Sequence, residues 1–283
     1  MSSDTATERA GSVTAYLSIC AIYRDEGPYL QEWLEFHRLT GVEHFFLYDN
    51  GSTDVNRQVL SPYVEQGIVT LHDWLVYPGQ GGAYMHCLRH HREGSRWIAF
   101  IDLDEFLFSP TMRPVPEILR DYEDAPAVGI NRATFTMCGH KTKPPGLVLE
   151  NYRTRLPTRG QNTLKSVVDP RRTIGYLSPH HFSYENDAQA VDENHIPIES
   201  IRTVERSCER LRINHYWTKS EEEARFKFAK PWAGRGQPRE APNFERIATV
   251  DERGSVPDET ILMYLPDLRA AIERTNNVAV EAA

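Results

Sequence analysis

The chain lacks the features that mark several large classes of protein. It has no apolar run approaching the roughly 18 residues of a membrane-spanning helix, and residues 1–11 are polar, without the apolar core of a signal peptide. Its four cysteines, Cys20, Cys87, Cys138 and Cys208, are far apart and form no C-x-x-C pair. Structural zinc on cysteines is therefore not expected, and reduced thiols are. We predict a cytoplasmic protein without a transmembrane segment, which is compatible with contact at a membrane surface.

Positive charge is also scarce. The 32 lysines and arginines are outnumbered by 40 aspartates and glutamates, for a formal net charge of −8. Because nucleic-acid binding usually needs a strongly basic surface, nucleic acid is not an expected partner. The content of 40% hydrophobic and 25% charged residues is typical of a globular protein. The 283 residues suffice for one large or two small domains, after residues 1–14, which we expect to be disordered.

Apolar runs and amphipathic segments alternate over the first half of the chain. The strands expected there are 16–23, 43–48, 68–71 and 97–101. Between them we expect helices from Pro28 to about Gly41, from the loop 49–54 to about Gln66, and from the Gly79–Gly82 segment to about Glu93. This alternation predicts an α/β fold with a mostly parallel central sheet and helices on both faces.

The pattern weakens after about residue 125. We expect strands at 127–135 and 211–217, with long loops around short strands over 139–200. Ser220 and Glu223 then match a capping box, which predicts a helix that ends before Pro231.

Acidic residues follow three of the predicted strands. They are Asp25 and Glu26, the acids of loop 49–54, and the group Asp102, Asp104 and Glu105. In open α/β sheets, ligands bind beyond the carboxyl ends of the strands, so these loops should converge on one crevice.

The pair Asp102 and Asp104 forms a D-x-D motif at the end of a buried strand. In extended backbone the two side chains project to the same side, where their like charges are tolerable in water or around a cation. Hard cations such as Mg²⁺ or Mn²⁺ take oxygen ligands and complete their shell with substrate phosphates. We interpret the motif as a metal and nucleotide-sugar site; the alternative is a solvated loop.

Five blocks, in this order along the chain, resemble glycosyltransferase family 92 and its bacterial relatives, which are akin to family 2. The blocks are Ile22-Tyr23-Arg24-Asp25-Glu26, Glu32-Trp33-Leu34-Glu35-Phe36-His37, Leu47-Tyr48-Asp49-Asn50-Gly51-Ser52-Thr53-Asp54, Trp97-Ile98-Ala99-Phe100-Ile101-Asp102-Leu103-Asp104-Glu105-Phe106 and Ile213-Asn214-His215-Tyr216-Trp217-Thr218-Lys219-Ser220. The resemblance implies the GT-A fold, in which a Rossmann-like nucleotide-sugar domain is merged with an acceptor region. On that basis we divide residues 15–232 into a nucleotide-binding half, 15–125, and an acceptor half, 126–232, followed by a C-terminal extension, 233–283, with a helix at 259–274.

The resemblance also implies roles for donor-binding residues. It places Asp49 on the nucleotide base, and Asp25 or Glu26, with Arg24, near the nucleotide. It places Asp102 against the ribose or the sugar.

For the metal, the resemblance implies Asp104, with Asp102 as a further candidate. A histidine late in such domains often completes the metal shell, and His215, between a predicted strand and a capped helix, has that context. His180 and His181 are the alternatives. Lys165 lies in a segment that matches the family, and we expect it at the diphosphate.

The catalytic base has no clear counterpart. Family 2 members usually carry a Glu-Asp pair that supplies it. Four acids lie in the corresponding part of this chain, and none of them stands out: Glu185, Asp187, Asp192 and Glu193.

Two further features have competing interpretations. Tyr216, Trp217 and Trp232 could stack on a sugar ring, or pack in the core. The Gly79–Gly82 segment is either a phosphate cradle or, as we favour, a flexible loop such as a lid.

The resemblance thus implies a metal-dependent inverting glycosyltransferase that uses Mn²⁺ or Mg²⁺. It would move a sugar, expected to be a hexose, from a nucleoside-diphosphate sugar to a hydroxyl of a glycan or small molecule, with a UDP-sugar as the preferred donor. The alternatives are a non-catalytic module that binds nucleotide sugars or glycans, and a nucleotidyltransferase on a similar fold.

Overall fold

A computed structural model describes residues 15–157, 163–230 and 254–281. Residues 1–14, for which we expected disorder, lie outside these ranges. Trp232 and most of the segment 233–258 lie outside them as well.

The first half of the chain builds a parallel sheet by repeating one unit. The strands are β1 (Ala15–Tyr23), β2 (His44–Asp49), β3 (Val69–Asp73) and β4 (Ser95–Phe100), in the spatial order β4-β1-β2-β3. The helices that connect them are α1 (Gly27–Leu39), α2 (Asn56–Glu65) and α3 (Gln80–His90). All seven elements were predicted, with ends that differ by a few residues. Because Tyr23, Asp49 and Asp73 are paired in register, β1, β2 and β3 end at one edge.

The chain after residue 104, which forms the second half of the sheet, extends it with strands that run both ways. The longer ones are β5 (Glu105–Phe108), β6 (Ala127–Thr134), β8 (Leu164–Val168) and β13 (Arg212–His215). Strand β8 lies antiparallel between β4 and β6, while β13 is parallel to β6 and antiparallel to β5. The sheet is therefore mixed overall, and its parallel part is formed by β1, β2, β3 and β4. The α/β class predicted from the sequence, with the Rossmann-like half expected of a GT-A fold, is confirmed.

Short elements complete the fold. They are β7 (Thr154–Arg155), β9 (Thr173–Ser178), β10 (His181–Tyr184), β11 (Ala190–Val191), β12 (Pro197–Ile198), β14 (Val256–Pro257), α4 (Val115–Leu119), α5 (Val148–Asn151), α6 (Glu221–Ala229) and α7 (Leu265–Glu281). Strands β9 and β10 form a separate hairpin. The capping box predicted at the start of α6 is present, since Ser220 Oγ accepts from the Glu223 amide and the Glu223 carboxylate accepts from the Ser220 amide.

Side chains of the central strands point alternately into two hydrophobic cores, one on each face of the sheet. Along β1, Ile19 and Ala21 join the core that α1, α2 and α7 cover, whereas Cys20 and Ile22 join the core that α3 and the β9–β10 hairpin cover. Helices on both faces were expected from a largely parallel sheet. No helix in the described ranges is long and apolar enough to cross a membrane.

The C-terminal helix belongs to the first of these cores. A 3₁₀ turn at Thr260–Tyr264 leads into α7, and Tyr264 and Leu268 are buried with residues of α1. The helix predicted at 259–274 is therefore present and packs against α1.

Candidate active site

A cleft of about 700 Å³ opens at the carboxyl ends of β1, β2 and β4. Loops from both halves of the chain meet in it, as the position of the acidic clusters predicted. The charged and histidine side chains that line it are Arg24, Asp25, Glu26, Asp102, Asp104, Arg132, Lys143, His180, His215, Lys219, Glu223, Lys227 and Lys230. Of the predicted site residues, the cleft therefore brings together Arg24, Asp25, Glu26, Asp102, Asp104 and His215.

The D-x-D motif lies on a turn. Strand β4 ends at Phe100, and the Glu105 amide donates to the Asp102 carbonyl at 3.0 Å. The expectation that Asp102 and Asp104 project to the same side of an extended strand is thus wrong in its geometry, because this hydrogen bond folds the chain back before β5. Both side chains nevertheless line the cleft.

Glu105, the third acid of this cluster, anchors the turn from below. It is fully buried, and its carboxylate accepts from the Asp102 amide at 3.0 Å and from Arg132 at 3.0 Å, with Lys165 Nζ at 3.3 Å. Burial alone would raise the pKa of Glu105, but Lys165 and Arg132 lower it to about 2. Glu105 is therefore a permanent anion that holds the turn in place.

Lys165 lies beneath the cleft and is completely buried. Its ammonium donates to Asp102 Oδ2 at 2.8 Å, while Gln80 Nε2 donates to Asp102 Oδ1 at 3.2 Å. Burial opposes the charge, yet Asp102 and Glu105 raise the pKa of Lys165 above its ordinary value. Lys165 therefore orients Asp102, and this contact replaces the diphosphate contact that we expected of it.

Asp104 and His215 face each other across the cleft. His215 Nε2 lies 3.6 Å from Asp104 Oδ2, because β13 pairs with β5 so that His215 is opposite Glu105. The ammonium of Lys227 also contacts Asp104 Oδ2 and donates to the Trp217 carbonyl at 2.9 Å. Burial would raise the pKa of Asp104, but Lys227 and His215 hold it well below its usual range. Asp104 is thus ionised and surrounded by nitrogen atoms.

Three lysines that the sequence reasoning missed reach the cleft around α6. Lys219 Nζ lies 3.3 Å from Glu26 Oε2, and Lys230 Nζ lies 3.0 Å from Asp25 Oδ2. Lys227 is the third. Only Lys227 lies on the capped helix α6 that follows the His215 block, while Lys230 directly follows the last helical residue in extended backbone.

Asp49 is placed below the surface of the cleft, and its neighbour Asn50 lines it. The buried Asp49 carboxylate accepts from the Ser52 amide at 2.8 Å and from Arg57 at 3.2 Å. It therefore shapes the loop that follows β2. Arg24 lies at the rim, where it donates to the Tyr77 hydroxyl at 2.5 Å.

The four candidates for the catalytic base lie outside the lining of the cleft. Glu185 and Asp187 are exposed in a turn after β10. Asp192 accepts from two loop amides, and Glu193 accepts from the amides of residues 209, 210 and 211 at 2.7–3.1 Å. Carboxylates saturated by backbone donors organise loops, so the structure does not favour these two as bases. The carboxylates that do line the cleft belong to Asp25, Glu26, Asp102, Asp104 and Glu223.

The remaining candidates divide between cleft and core. His180 lines the cleft, but its Nδ1 bonds to the Leu164 carbonyl at 2.7 Å, and burial, with Lys165 and Arg132, lowers its pKa to about 4. Trp217 lines the cleft, whereas Tyr216 is buried between Phe106 and Phe135, which excludes sugar stacking by Tyr216.

The glycine-rich segment is helical. Gly79 is the N-cap of α3, and residues 80–82 form its first turn, where Gln80 reaches Asp102. The interpretation as a flexible loop was therefore wrong.

Comparison with known proteins identifies the family of this chain. Residues 15–253 match the model of glycosyltransferase family 92. The chain belongs to this family. A family 92 protein of Oryza sativa subsp. japonica is 33% identical over 148 residues, which cover 52% of the chain and 24% of that relative. Galactan beta-1,4-galactosyltransferase GALS2 of Arabidopsis thaliana is 31% identical over 105 residues, 34% of the chain and 20% of that relative.

Among solved structures, the fragment 1–349 of S. aureus TarS in complex with UDP has a TM-score of 0.39 and 14% identity, with 55% of this chain and 47% of that chain covered. The family 92 chain spans between a fifth and a third of the length of the curated relatives named here and of a family 92 protein of Ricinus communis.

Proposed function

We propose that this family 92 member transfers a sugar, with inversion, from a nucleoside-diphosphate sugar to a hydroxyl acceptor on a glycan or small molecule. The observation that carries the proposal is the facing pair of Asp104 and His215 in a cleft that also holds several lysines. UDP is our preferred nucleotide, and the cytoplasm our proposed location.

The residues of the cleft fit a bound divalent cation. Asp104 offers an ionised oxygen and His215 an imidazole nitrogen 3.6 Å away, so these two residues would hold such an ion. Asp102, whose side chain is 35% exposed, is the further candidate ligand. Mn²⁺ accepts this mixed donor set more readily than Mg²⁺, and either would neutralise charge that develops on the diphosphate.

Lys227 competes with such a cation for Asp104. Its ammonium contacts the same oxygen, Oδ2, that faces His215. A lysine stem is flexible, so Lys227 can turn from Asp104 towards a donor phosphate when the carboxylate is otherwise engaged. With Lys219 and Lys230 it would hold the leaving diphosphate by charge.

The chain's own residues would divide the remaining work. Lys165, Gln80 and Glu105 fix the turn that carries Asp102 and Asp104, so that these groups need little reorganisation when the donor binds. A carboxylate of the cleft would accept the proton of the attacking hydroxyl. Trp217, at the wall of the cleft, can stack on the apolar face of a sugar.

A donor-hydrolysis screen tests the function. The full chain is incubated with a panel of nucleotide sugars and Mn²⁺, without acceptor, and the nucleotide product is identified. We expect release of a nucleoside diphosphate that stops when the metal is chelated. Release of pyrophosphate from a nucleoside triphosphate and a sugar phosphate would instead indicate a nucleotidyltransferase. Tight nucleotide-sugar binding with no turnover on any donor or acceptor would indicate a binding module.

A further inference from the structure

Three histidines meet on the face of the sheet that α3 covers, at a place separate from the lining of the cleft. His72 comes from β3, His86 from the middle of α3, and His91 from the residue directly after that helix. One potential ligand atom from each lies within 4.8 Å of the other two. All three are partly buried, so the group is reachable from solvent but held by its surroundings.

The distances between the nitrogen atoms suit a shared ion. His72 Nε2 and His91 Nε2 are 3.1 Å apart and share a hydrogen bond, which an ion between them would replace. Two imidazole nitrogens that each lie about 2.0–2.1 Å from one zinc ion come to a similar separation. Neutral imidazole is a preferred ligand of Zn²⁺, Cu²⁺ and Ni²⁺, whereas Mg²⁺ and Ca²⁺ require oxygen. The cluster is therefore selective for a different class of ion from the one expected in the cleft.

Neighbouring aromatic groups hold the rings in place. The Tyr48 hydroxyl and His86 Nδ1 are 2.9 Å apart, which leaves Nε2 of His86 as the ligand atom when Nδ1 carries the proton. His72 stacks on Tyr48 with ring centres 4.7 Å apart, and His91 stacks on Phe46 at 4.3 Å. Rings fixed by packing and by an outer hydrogen bond lose little freedom when they bind a metal.

Two histidines of the cluster, His86 and His91, also favour the uncharged form that a ligand requires. Burial, with His72 and His86 next in effect, lowers the pKa of His91 to about 4, and burial lowers the pKa of His86. At neutral pH these rings therefore offer lone pairs without first losing a proton.

We propose that His72, His86 and His91 form a binding site for one divalent transition-metal cation of the zinc class. The site lies outside the residues that line the cleft and does not depend on the proposed glycosyl transfer. A bound ion would tie the C-terminal part of α3 to β3. Since the first turn of the same helix supplies Gln80 to Asp102, the ion would steady that helix from its other end.

The experiment uses the full chain without an affinity tag, stripped of metal with a chelator. Zn²⁺ is titrated against a chromogenic competitor, and the thermal midpoint is measured with and without Zn²⁺. The variants are His86→Gln and His91→Gln, which keep a polar side chain of similar size. The matched control is His181→Gln, a partly buried histidine of the β9–β10 hairpin, and Asp104→Asn tests the cleft.

We expect a Zn²⁺ site that is present in the wild type and persists in both controls, and a rise in the thermal midpoint of all three. His86→Gln and His91→Gln should each lower the Zn²⁺ affinity by roughly tenfold or more and abolish the rise. The Co²⁺ form of the wild type should show visible absorption bands that disappear with the same two substitutions. As the folding control, both variants should have the thermal midpoint of the metal-free wild type. The proposal would be overturned if the wild type bound no Zn²⁺, or if both cluster variants kept the wild-type Zn²⁺ affinity. Loss of Zn²⁺ affinity in Asp104→Asn instead of in the cluster variants would also overturn it.

Discussion

The two halves of the central sheet are built in different ways. In the first half, each strand is joined to the next by one helix, and β1, β2, β3 and β4 associate within a short stretch of chain. In the second half, β8 inserts between β4 and β6, and β13 pairs with β5 and β6, although long segments separate them in sequence. Local patterns therefore specify the first half, while the second depends on contacts between distant segments.

The residues of the candidate active site lie where the halves join. The turn with Asp102 and Asp104 ends the first half, and Lys165 of β8, Arg132 of β6 and His215 of β13 hold or face it. Variants at this junction should thus behave differently from variants within either half. The following comparisons test this difference.

Lys165→Met should have the largest effect, on stability. It removes a fully buried ammonium from between Asp102 and the fully buried Glu105. Breaking a buried ion pair by removing one partner typically costs about 3–5 kcal/mol, and we expect the free energy of unfolding in urea to fall by this amount. The control is Lys141→Met, which removes the lysine of an exposed ion pair with Glu221. It should lower the free energy of unfolding by no more than about 1 kcal/mol. Similar losses for both variants would mean that the junction is no more sensitive than the surface.

Asp104→Asn should have the largest effect on activity. The amide keeps the shape of the side chain but removes the charge that faces His215 and Lys227. Loss of a main electrostatic element lowers turnover by roughly 10²-fold or more, and we expect this for donor hydrolysis, with an unchanged circular dichroism spectrum. Asp187→Asn makes the same chemical change in the exposed turn after β10 and should leave turnover unaffected. If Asp104→Asn kept near wild-type turnover at ordinary Mn²⁺ concentrations, Asp104 would be excluded as a metal ligand.

The two histidines of the cleft should differ in metal binding. His215→Ala should weaken Mn²⁺ binding at least about tenfold, near 1.4 kcal/mol, in calorimetric titrations with nucleoside diphosphate present. His180→Ala should change it much less, because His180 Nδ1 is engaged by the Leu164 carbonyl. The same Mn²⁺ affinity for His215→Ala and wild type would exclude His215 from the metal shell.

Asp49→Ala should have the smallest effect, since Asp49 lies within the first half and acts through its loop. Loss of its bonds to the Ser52 amide and Arg57 should weaken donor binding by about 1 kcal/mol and raise KM more than it lowers kcat. Asp73→Ala, which removes the exposed second partner of Arg57, is the matched control. If both substitutions leave the affinity for nucleoside diphosphate unchanged, Asp49 is only a turn residue.

The success of prediction followed the same division between the halves. The seven elements of the first half were predicted because each has its own apolar period and its own breaker, such as Pro28 or the loop 49–54. Lys165 was expected in the region of the site, but at the diphosphate, whereas it contacts Asp102 and Glu105. Nothing in the local sequence of an apolar strand indicates which buried acid its lysine contacts. Glu193 was suggested as a base, yet its carboxylate receives amides from residues 209–211, which no local pattern could indicate.

The sequence by itself determined the α/β class, the positions of the first four strands, the capped helix α6 and the acids at the strand ends. These features depend on residues close together in the chain, whose periodicity and turn chemistry are local properties. Only the tertiary structure decided that His215 faces Asp104, that Lys227 competes for the same carboxylate, and that His72 meets His91. Those contacts join strands and helices whose order in the sheet is fixed by packing of the whole core, and packing is a property of the folded chain.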